Sequence, residues 1–586
     1  MGKASRKKAK IVKTTLAISE EKTHSAETLP GKSGMLQRYY VHLILIAVLG
    51  FLAYSNTFNV PFQWDEHNFI VENPIIKNLD YFLEPSKAEG FELYSAVRNR
   101  YIGYLTFALN YRLHGFDVTG YHIVNLTIHL LNAMLVYLLV ILTFRTPFLR
   151  VSALREKSGY IALFTALLFV SHPIQTEAVT YIFQRLASLA AFFCLLSIAV
   201  YIKSRLSEKN SVKYSFYALS VISAILAMKT KENAFILPIA IVLYEYFFFN
   251  GKINKRLLWL IPLLLTMLIV PLTIIGLDRS AGEIISGLDS ATVGYKDVSR
   301  GDYLLTQFRV IVTYIRLLFF PINQTIDYDY PIYTSFFDPP VILSFLFLLS
   351  LMGGAGYLLY RSRFSDRAVR LAVFGISWFF LALAMESSIV SIATVIDEYR
   401  VYLPSVGAFA AMAVAAIFFL KKLHSRFSIV FALALISIPV IFAGATYARN
   451  RVWQSEVNLW ADVVKKNPQY PRAQYNLAKS YLDEGMLDKA MAHFWIVLKL
   501  RPDDADTHTN IGVIYSRKGL LDEAIKHHLI ASRLNPNLAE PHINLGLIYL
   551  DRGLTNEARR ELETALSIDS ENPQAMRFLN YIYGLK

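Results

Sequence analysis

The chain has 586 residues, a formal net charge of +14, and is 54% hydrophobic but only 18% charged. Soluble domains carry roughly 25% charge, and the mean hydropathy is +0.37, so a wholly soluble protein is excluded. The basic residues fall in short blocks between apolar runs, which is the positive-inside pattern of membrane loops and argues against a nucleic-acid partner. The lone cysteine, Cys194, excludes an internal disulfide or a cysteine-based metal site.

Residues 1–37 read as a basic, disordered, cytoplasmic tail. The first apolar run after it has no small-residue cleavage site and reads as a retained helix. A membrane domain is expected over 38–446, with about eleven spans of roughly 20 residues each. They are placed at 38–56, 121–144, 158–172, 186–204, 213–229, 234–250, 257–277, 338–360, 368–386, 402–420 and 427–446. Basic blocks at Lys3–Lys13, Arg145–Lys157, Lys203–Lys213, Lys252–Arg256, Arg361–Arg370 and Lys421–Arg426 alternate with these spans. Placing them inside puts the C-terminus outside. Residues 303–320 carry Arg309 and Arg316 and would break the alternation if they crossed; they are expected as an outer interfacial or re-entrant helix.

Residues 447–469 are expected as a linker with an orphan helix, and 470–586 as three repeats with a capping helix. Asn476, Asn510 and Asn544 stand 34 residues apart, and so do Tyr481, Tyr515 and Tyr549, Gly485, Gly519 and Gly553, and Ala490, Ala524 and Ala558. That period is the tetratricopeptide (TPR) one. Prolines 468, 502 and 536 close each unit, because proline cannot continue a helix. The expected fold class is therefore all-α: a polytopic membrane helix bundle followed by a TPR α-solenoid. Such a solenoid offers a concave surface to a polypeptide, with Asn476, Asn510 and Asn544 as acceptor-binding positions; a purely structural cap is the alternative.

Four clusters of ionisable residues map to the outer ends of the spans. They are Asp65-Glu66; His172 with Glu177 and Arg185; Lys229 with Lys231 and Glu232; and Glu386 with Asp397, Glu398 and Arg400. Charge at membrane depth is costly and marks a substrate path or active site. Transfer from a phosphate-bearing lipid fits: Arg185, Lys229, Lys231, Arg400 and Arg309 would hold phosphate. A first-loop carboxylate would act as general base, with His172, Glu177, Glu232 and Glu398 supporting. Each has a plainer explanation: His172 as a helix cap, the lysines snorkelling to headgroups. His172 and Glu177 are five apart, not a zinc-helix spacing, and no phosphate loop, dinucleotide fingerprint or HExxH is present. No metal ligands are assigned and no cofactor is fixed; a divalent metal stays open.

The order WDEHNFIVENP, YLTFALNYRLHGFDVTGYHIVNLTIHLLNA, HPIQTEAVTYIFQR, KTKENAFILP, DEYRVYLPS, RNRVW and TPRs resembles bacterial relatives of the transmembrane and TPR-containing C-type glycosyltransferases. That group is related to the protein O-mannosyltransferases. The resemblance implies a polyprenyl-phosphate-linked sugar as donor, a polypeptide acceptor held by the TPRs, and a multi-pass inner-membrane protein with its site on the periplasmic side. It carries the acidic pair to Asp65 and Glu66, with Asp65 the base, the Lys-Glu motif to Lys231 and Glu232, and the His-Pro…Thr-Glu motif to His172 and Glu177. Where the family pattern reads Glu-Arg-Tyr, this chain reads Glu398-Tyr399-Arg400, which puts Arg400 as a phosphate ligand in question. The rivals are a transferase acting on glycan or lipid, and a non-enzymatic membrane-anchored TPR scaffold.

Overall fold

The computed structural model describes residues 32–251, 253–275, 298–362, 366–388 and 394–584, and all regular structure among them is helical. The expectations for the basic tail up to residue 31 lie outside the described residues.

The bundle is built from α1 (Lys32–Tyr54), α2 (Tyr101–His114), α3 (Val118–Thr143), α4 (Ser158–Ser171), α5 (Arg185–Leu206) and α6 (Asn210–Met228). It continues through α7 (Leu237–Phe248), α8 (Ile253–Leu265), α9 (Arg300–Phe319), α10 (Pro339–Arg361), α11 (Val369–Leu383), α12 (Tyr402–Lys422) and α13 (Ser425–Asn450). The expected spans fall on helical segments, although 257–277 is divided at Thr266–Leu268 and its last two residues lie outside the described ones. Seven stretches are long and apolar enough to cross a membrane, and an eighth is if α4 and the turn after it count as one bent span. This is a multi-pass membrane protein. The bend, 53°, falls at His172-Pro173, where the residue before proline is driven into extended backbone. Two further apolar helices, Tyr39–Tyr54 and α11, are shorter. Helix α7 has 12 residues and rises about 18 Å, short of the roughly 30 Å of hydrocarbon, so its lone crossing is not supported.

Helix α9 is the amphipathic element expected near 303–320. Its buried stripe includes Tyr303, Thr306, Gln307 and Tyr314. The Tyr303 hydroxyl donates to the Glu386 carbonyl at 2.9 Å, Gln307 to the Val395 carbonyl at 2.9 Å, and Tyr314 to the Asp397 carbonyl at 3.0 Å. Those polar groups are spent on pinning the segment that leads into α12.

The solenoid comprises α14 (Glu456–Lys466), then α15 (Pro471–Asp483) with α16 (Leu487–Leu500), α17 (Ala505–Arg517) with α18 (Leu521–Leu534), α19 (Ala539–Asp551) with α20 (Thr555–Ile568), and the cap α21 (Pro573–Ile582). The period has a local cause. Gly485, Gly519 and Gly553 sit at φ 76°, 76° and 74°, the left-handed region where a Cβ is penalised. Each lets the next N–H reach back to a tyrosine carbonyl: Met486 to Tyr481, Leu520 to Tyr515 and Leu554 to Tyr549, at 2.8, 2.9 and 2.8 Å. These bonds close the helix ends.

The segment 447–469 is not a loose linker. Trp453, Leu459, Trp460 and Val463 are all buried, in one apolar cluster with Phe62, Ile70 and Ile75 of the first loop and Ala473 and Leu477 of the first repeat. The solenoid therefore shares a core with the loop end of the bundle, which fixes its orientation there.

Candidate functional site

Trp64 adopts φ +49°, costly for a bulky residue. The position is held from three sides. Its N–H donates to Glu456 Oε1 at 3.2 Å, its ring meets Trp460 edge-on at 5.6 Å, and the Arg472 guanidinium lies 5.5 Å from its centroid. This turn separates the acidic pair. Glu66 points inward, 1% exposed, accepting from Gln63 N at 2.7 Å and Phe183 N at 2.8 Å. Burial pushes its pKa up to about 8 against the pull of those donors. Each Glu66 oxygen accepts one backbone N–H, so the side chain braces the first loop against the loop of Phe183. Asp65 stays partly exposed. Burial raises its pKa, Arg472 pulls it down, and Asp397 pushes it up again.

Arg472 and Asp397 both line a cavity of about 450 Å³, walled by Trp64, the 326–332 segment, the 394–397 segment and the first two repeats. Tyr328, Tyr330, Tyr470 and Tyr475 give it aromatic walls, and Asp327, Asp329, Asp397, Asp504 and Asp506 face Arg472 and Arg501 across it. The repeats are clamped to this rim. Asn467 donates to Asp329 at 3.0 Å and Tyr470 to Asp327 at 3.2 Å, while Lys466 donates to the Gln324 carbonyl.

A separate set of cations does not line this cavity. Lys231 is buried, 3.7 Å from Glu386 and 4.1 Å from the Tyr399 ring centroid. Burial pulls its pKa down, and Arg100 and Arg400 add to that while Glu386 opposes it. Glu232 is gripped by Arg100 Nε at 2.9 and 3.0 Å. Burial alone would raise its carboxyl, but Arg100 holds it below the ordinary value. Lys229 Nζ donates to Thr273 Oγ1 at 2.6 Å, and Arg98 to the Thr273 carbonyl at 3.1 Å. Both line a second cavity of about 240 Å³ with Tyr81, Tyr94 and Tyr101.

Other expected phosphate ligands are committed elsewhere. Arg185 is fully buried, donating to Asn125 Oδ1 and Asn110 Oδ1 at 2.6 Å each and to the Tyr121 carbonyl at 3.0 Å, over the Phe107 ring at 4.6 Å. No face is left for phosphate. Arg400 pairs with Asp397 at 2.7 Å and donates to the Thr394 carbonyl and hydroxyl at 2.8 and 2.7 Å, so it closes the 394–400 turn. The ring facing Lys231 belongs to Tyr399. Arg309 is half-buried and acts on Tyr330 through its charge alone, without lining the cavity.

The supporting residues prove to be braces. His172 Nδ1 accepts from Ile174 N at 3.1 Å, its Nε2 bonds the Leu318 carbonyl at 3.1 Å, and its ring packs on Phe409 and Phe442. It is a cap, not a ligand. Glu177 accepts from Tyr399 N at 2.9 Å. Glu398 accepts from Gln324, Thr325 N and the Tyr328 hydroxyl at 2.6, 2.9 and 2.6 Å, shaping the 324–328 wall. Among the described residues no three His, Cys, Asp or Glu side chains converge as a metal would require.

The tetratricopeptide repeat family model matches residues 471–504 and 539–572; the unmatched middle unit, α17 with α18, repeats the same geometry. Over 81% of its length the chain is 24% identical to a protein O-mannosyl-transferase of Caenorhabditis elegans, covering 64% of that protein. It is also 24% identical over 82% of its length to protein O-mannosyl-transferase TMTC3 of Mus musculus, covering 53% of it. The chain is thus similar in sequence to protein O-mannosyl-transferases, TMTC3 among them. It spans between about half and two thirds of those two relatives' lengths. Among solved structures, ArnT from Cupriavidus metallidurans bound to undecaprenyl phosphate overlaps 87% of this chain and 81% of its own. The identity there is 14% and the TM-score 0.35, too low to equate the two folds.

The three repeat asparagines differ in setting. Asn510 donates to the Tyr475 hydroxyl at 3.0 Å and so braces the cavity wall. Asn476 and Asn544 are half-buried and do not line the cavity. Sequence reasoning missed Arg100, Arg472 and the Asp327–Tyr330 wall. The alternating acid and aromatic run IDYDY was the available signal for the wall. Arg100 lies 132 residues from Glu232 and left none.

Proposed function

We propose that this chain is a membrane glycosyltransferase. In this reading it moves a sugar, mannose by the names of its relatives, from a polyprenyl-phosphate donor to Ser or Thr of a protein on the non-cytoplasmic face. The observation that carries the proposal is the setting of Asp65: a partly exposed carboxylate next to Trp64 and within electrostatic reach of Arg472 and Asp397, three residues that line a chamber shared by membrane loops and repeats. A peptide lying in the repeats would present its hydroxyl there. The hydroxyl oxygen bonds to the anomeric carbon as the bond from that carbon to the phosphate oxygen breaks. Asp65 takes the hydroxyl proton, and polyprenyl phosphate departs. The raised pKa of Asp65 makes its ionised carboxylate a stronger base toward the hydroxyl. Lys231, Lys229 and Arg98 are the cations that could neutralise the departing phosphate; Arg185 and Arg400 position the walls instead.

The test is the full chain in lipid nanodiscs with labelled polyprenyl-phosphate mannose and Ser- or Thr-bearing peptides. Label bonded to a peptide hydroxyl is the expected product. Label passed only to a lipid or glycan would replace protein as the acceptor, and label left wholly on the donor would favour the scaffold.

A further inference from the structure

The chamber between loops and repeats is sorted by charge, and that sorting names the acceptor class. Its lining carries five aspartates against two arginines. Asp327 is matched by Arg472 at 3.4 Å and Asp397 by Arg400 at 2.7 Å. Asp329, Asp504 and Asp506 form no ion pair among the described residues. Asp504 accepts from Thr507 N at 2.8 Å and Asp329 from Asn467 at 3.0 Å, one hydrogen bond each, and both residues line the chamber. Burial, then Asp504 and Glu540, raises the pKa of Asp506, the mark of crowded like charge. The Asp327 side chain is only 11% exposed, and its Oδ2 meets Arg472 Nε at 3.4 Å as an ion pair without a formed hydrogen bond.

The aromatic walls fit this excess. Tyr475 stands among Asp506, Asp504 and Glu540, and Trp64 already holds one guanidinium, that of Arg472, over its ring. Carboxylates beside aromatic faces form a receptor for a cationic side chain, through ion pairing and attraction to the ring quadrupole. The same excess repels a phosphate. The anionic donor head therefore belongs with Lys231, Lys229 and Arg98, which leaves the chamber to the acceptor.

We infer that the acceptor is a basic polypeptide segment, with Lys or Arg within a few residues of the receiving hydroxyl, its cation held between Asp329, Asp506 and the Tyr475 ring. The inference rests on the transferase reading for the word acceptor, and on the chamber alone for the basic charge.

Binding is measured by fluorescence anisotropy on the full chain in nanodiscs without donor, and transfer with it. Three peptides share one Ser-bearing sequence flanked by Lys, Gln or Glu. The Lys peptide is expected to bind about tenfold tighter than the Glu peptide, the sum of a few modest charge contacts. Asp329→Asn with Asp506→Asn should erase the preference. Asp329→Lys with Asp506→Lys should reverse it, a gain that misfolding cannot produce. Equal binding of all three peptides, or a preference untouched in both double variants, overturns the inference. Transfer to all three at one rate, with equal binding, leaves a transferase without this selectivity. Charge-reversible binding with no transfer to any peptide leaves the receptor and removes the transferase reading.

Discussion

Arg472, two residues into the first repeat, lies 3.4 Å from Asp327 of the bundle's loop end, and its charge also pulls the Asp65 pKa down. One side chain thus ties the solenoid to the membrane domain and tunes the carboxylate on which the proposed chemistry depends. The Arg472 side chain is 45% exposed, so the bond itself adds little, about 0.2–1 kcal/mol as for other solvated pairs. Its electrical effect is the larger consequence.

The pH profile should show that effect. Arg472 favours the ionised form of Asp65, so Arg472→Gln raises its pKa further. The base must be ionised to accept a proton. Activity is therefore lost as pH falls through a higher value in the variant, and the acidic limb of kcat/KM moves toward neutrality. An unmoved limb would separate Asp65 from the titration.

Glu66 should behave as a structural residue. Glu66→Ala leaves the Gln63 and Phe183 N–H groups buried and unpaired, at about 1–3 kcal/mol each, and Tm should fall. The pH dependence has a definite sign. The folded pKa of about 8 lies above the ordinary 4.5. The side chain's contribution to stability is whole below pH 4.5 and is lost as pH rises to about 8. Glu66→Ala should flatten that slope in a thermal-melt series.

Two basic residues expected to share one task should separate. Arg185→Ala strands Asn110, Asn125 and the Tyr121 carbonyl in the core; a loss of about 3–5 kcal/mol follows, as for other buried charge networks cut on one side, and folded protein should drop sharply. Lys229→Ala removes one half-buried bond to Thr273 and should fold, with a higher KM for the lipid donor. A folded Arg185→Ala with only a donor defect would reverse this assignment.

Topology can be checked directly. In a Cys194→Ser background, cysteines placed at the exposed positions of Lys87, Lys489 and Lys209 report on three loops. A membrane-impermeant thiol reagent added outside should label the first two and spare the third. Labelling of all three, or of Lys209 alone, would invert the proposed orientation.

The solenoid was legible in the sequence because a purely local event, the left-handed glycine closing onto a tyrosine carbonyl, recurs every repeat. The spans were legible because lipid demands apolar runs. The fates of Arg185 and Arg400 were not legible: each is decided by partners that only tertiary packing delivers, such as Asn110, 75 residues before Arg185. The docking of 447–469 was hidden for the same reason, since Trp453 and Trp460 look like any amphipathic stretch until the first loop covers them.

The most direct measurement is the single-turnover rate of sugar transfer by Asp65→Asn, with acceptor binding measured on the same preparation. Loss of a positioned general base costs about 10²–10⁴ in rate, so transfer should fall by at least that lower figure while the peptide binds as before. Transfer at the wild-type rate would contradict the account, because the hydroxyl proton would then have an acceptor other than Asp65.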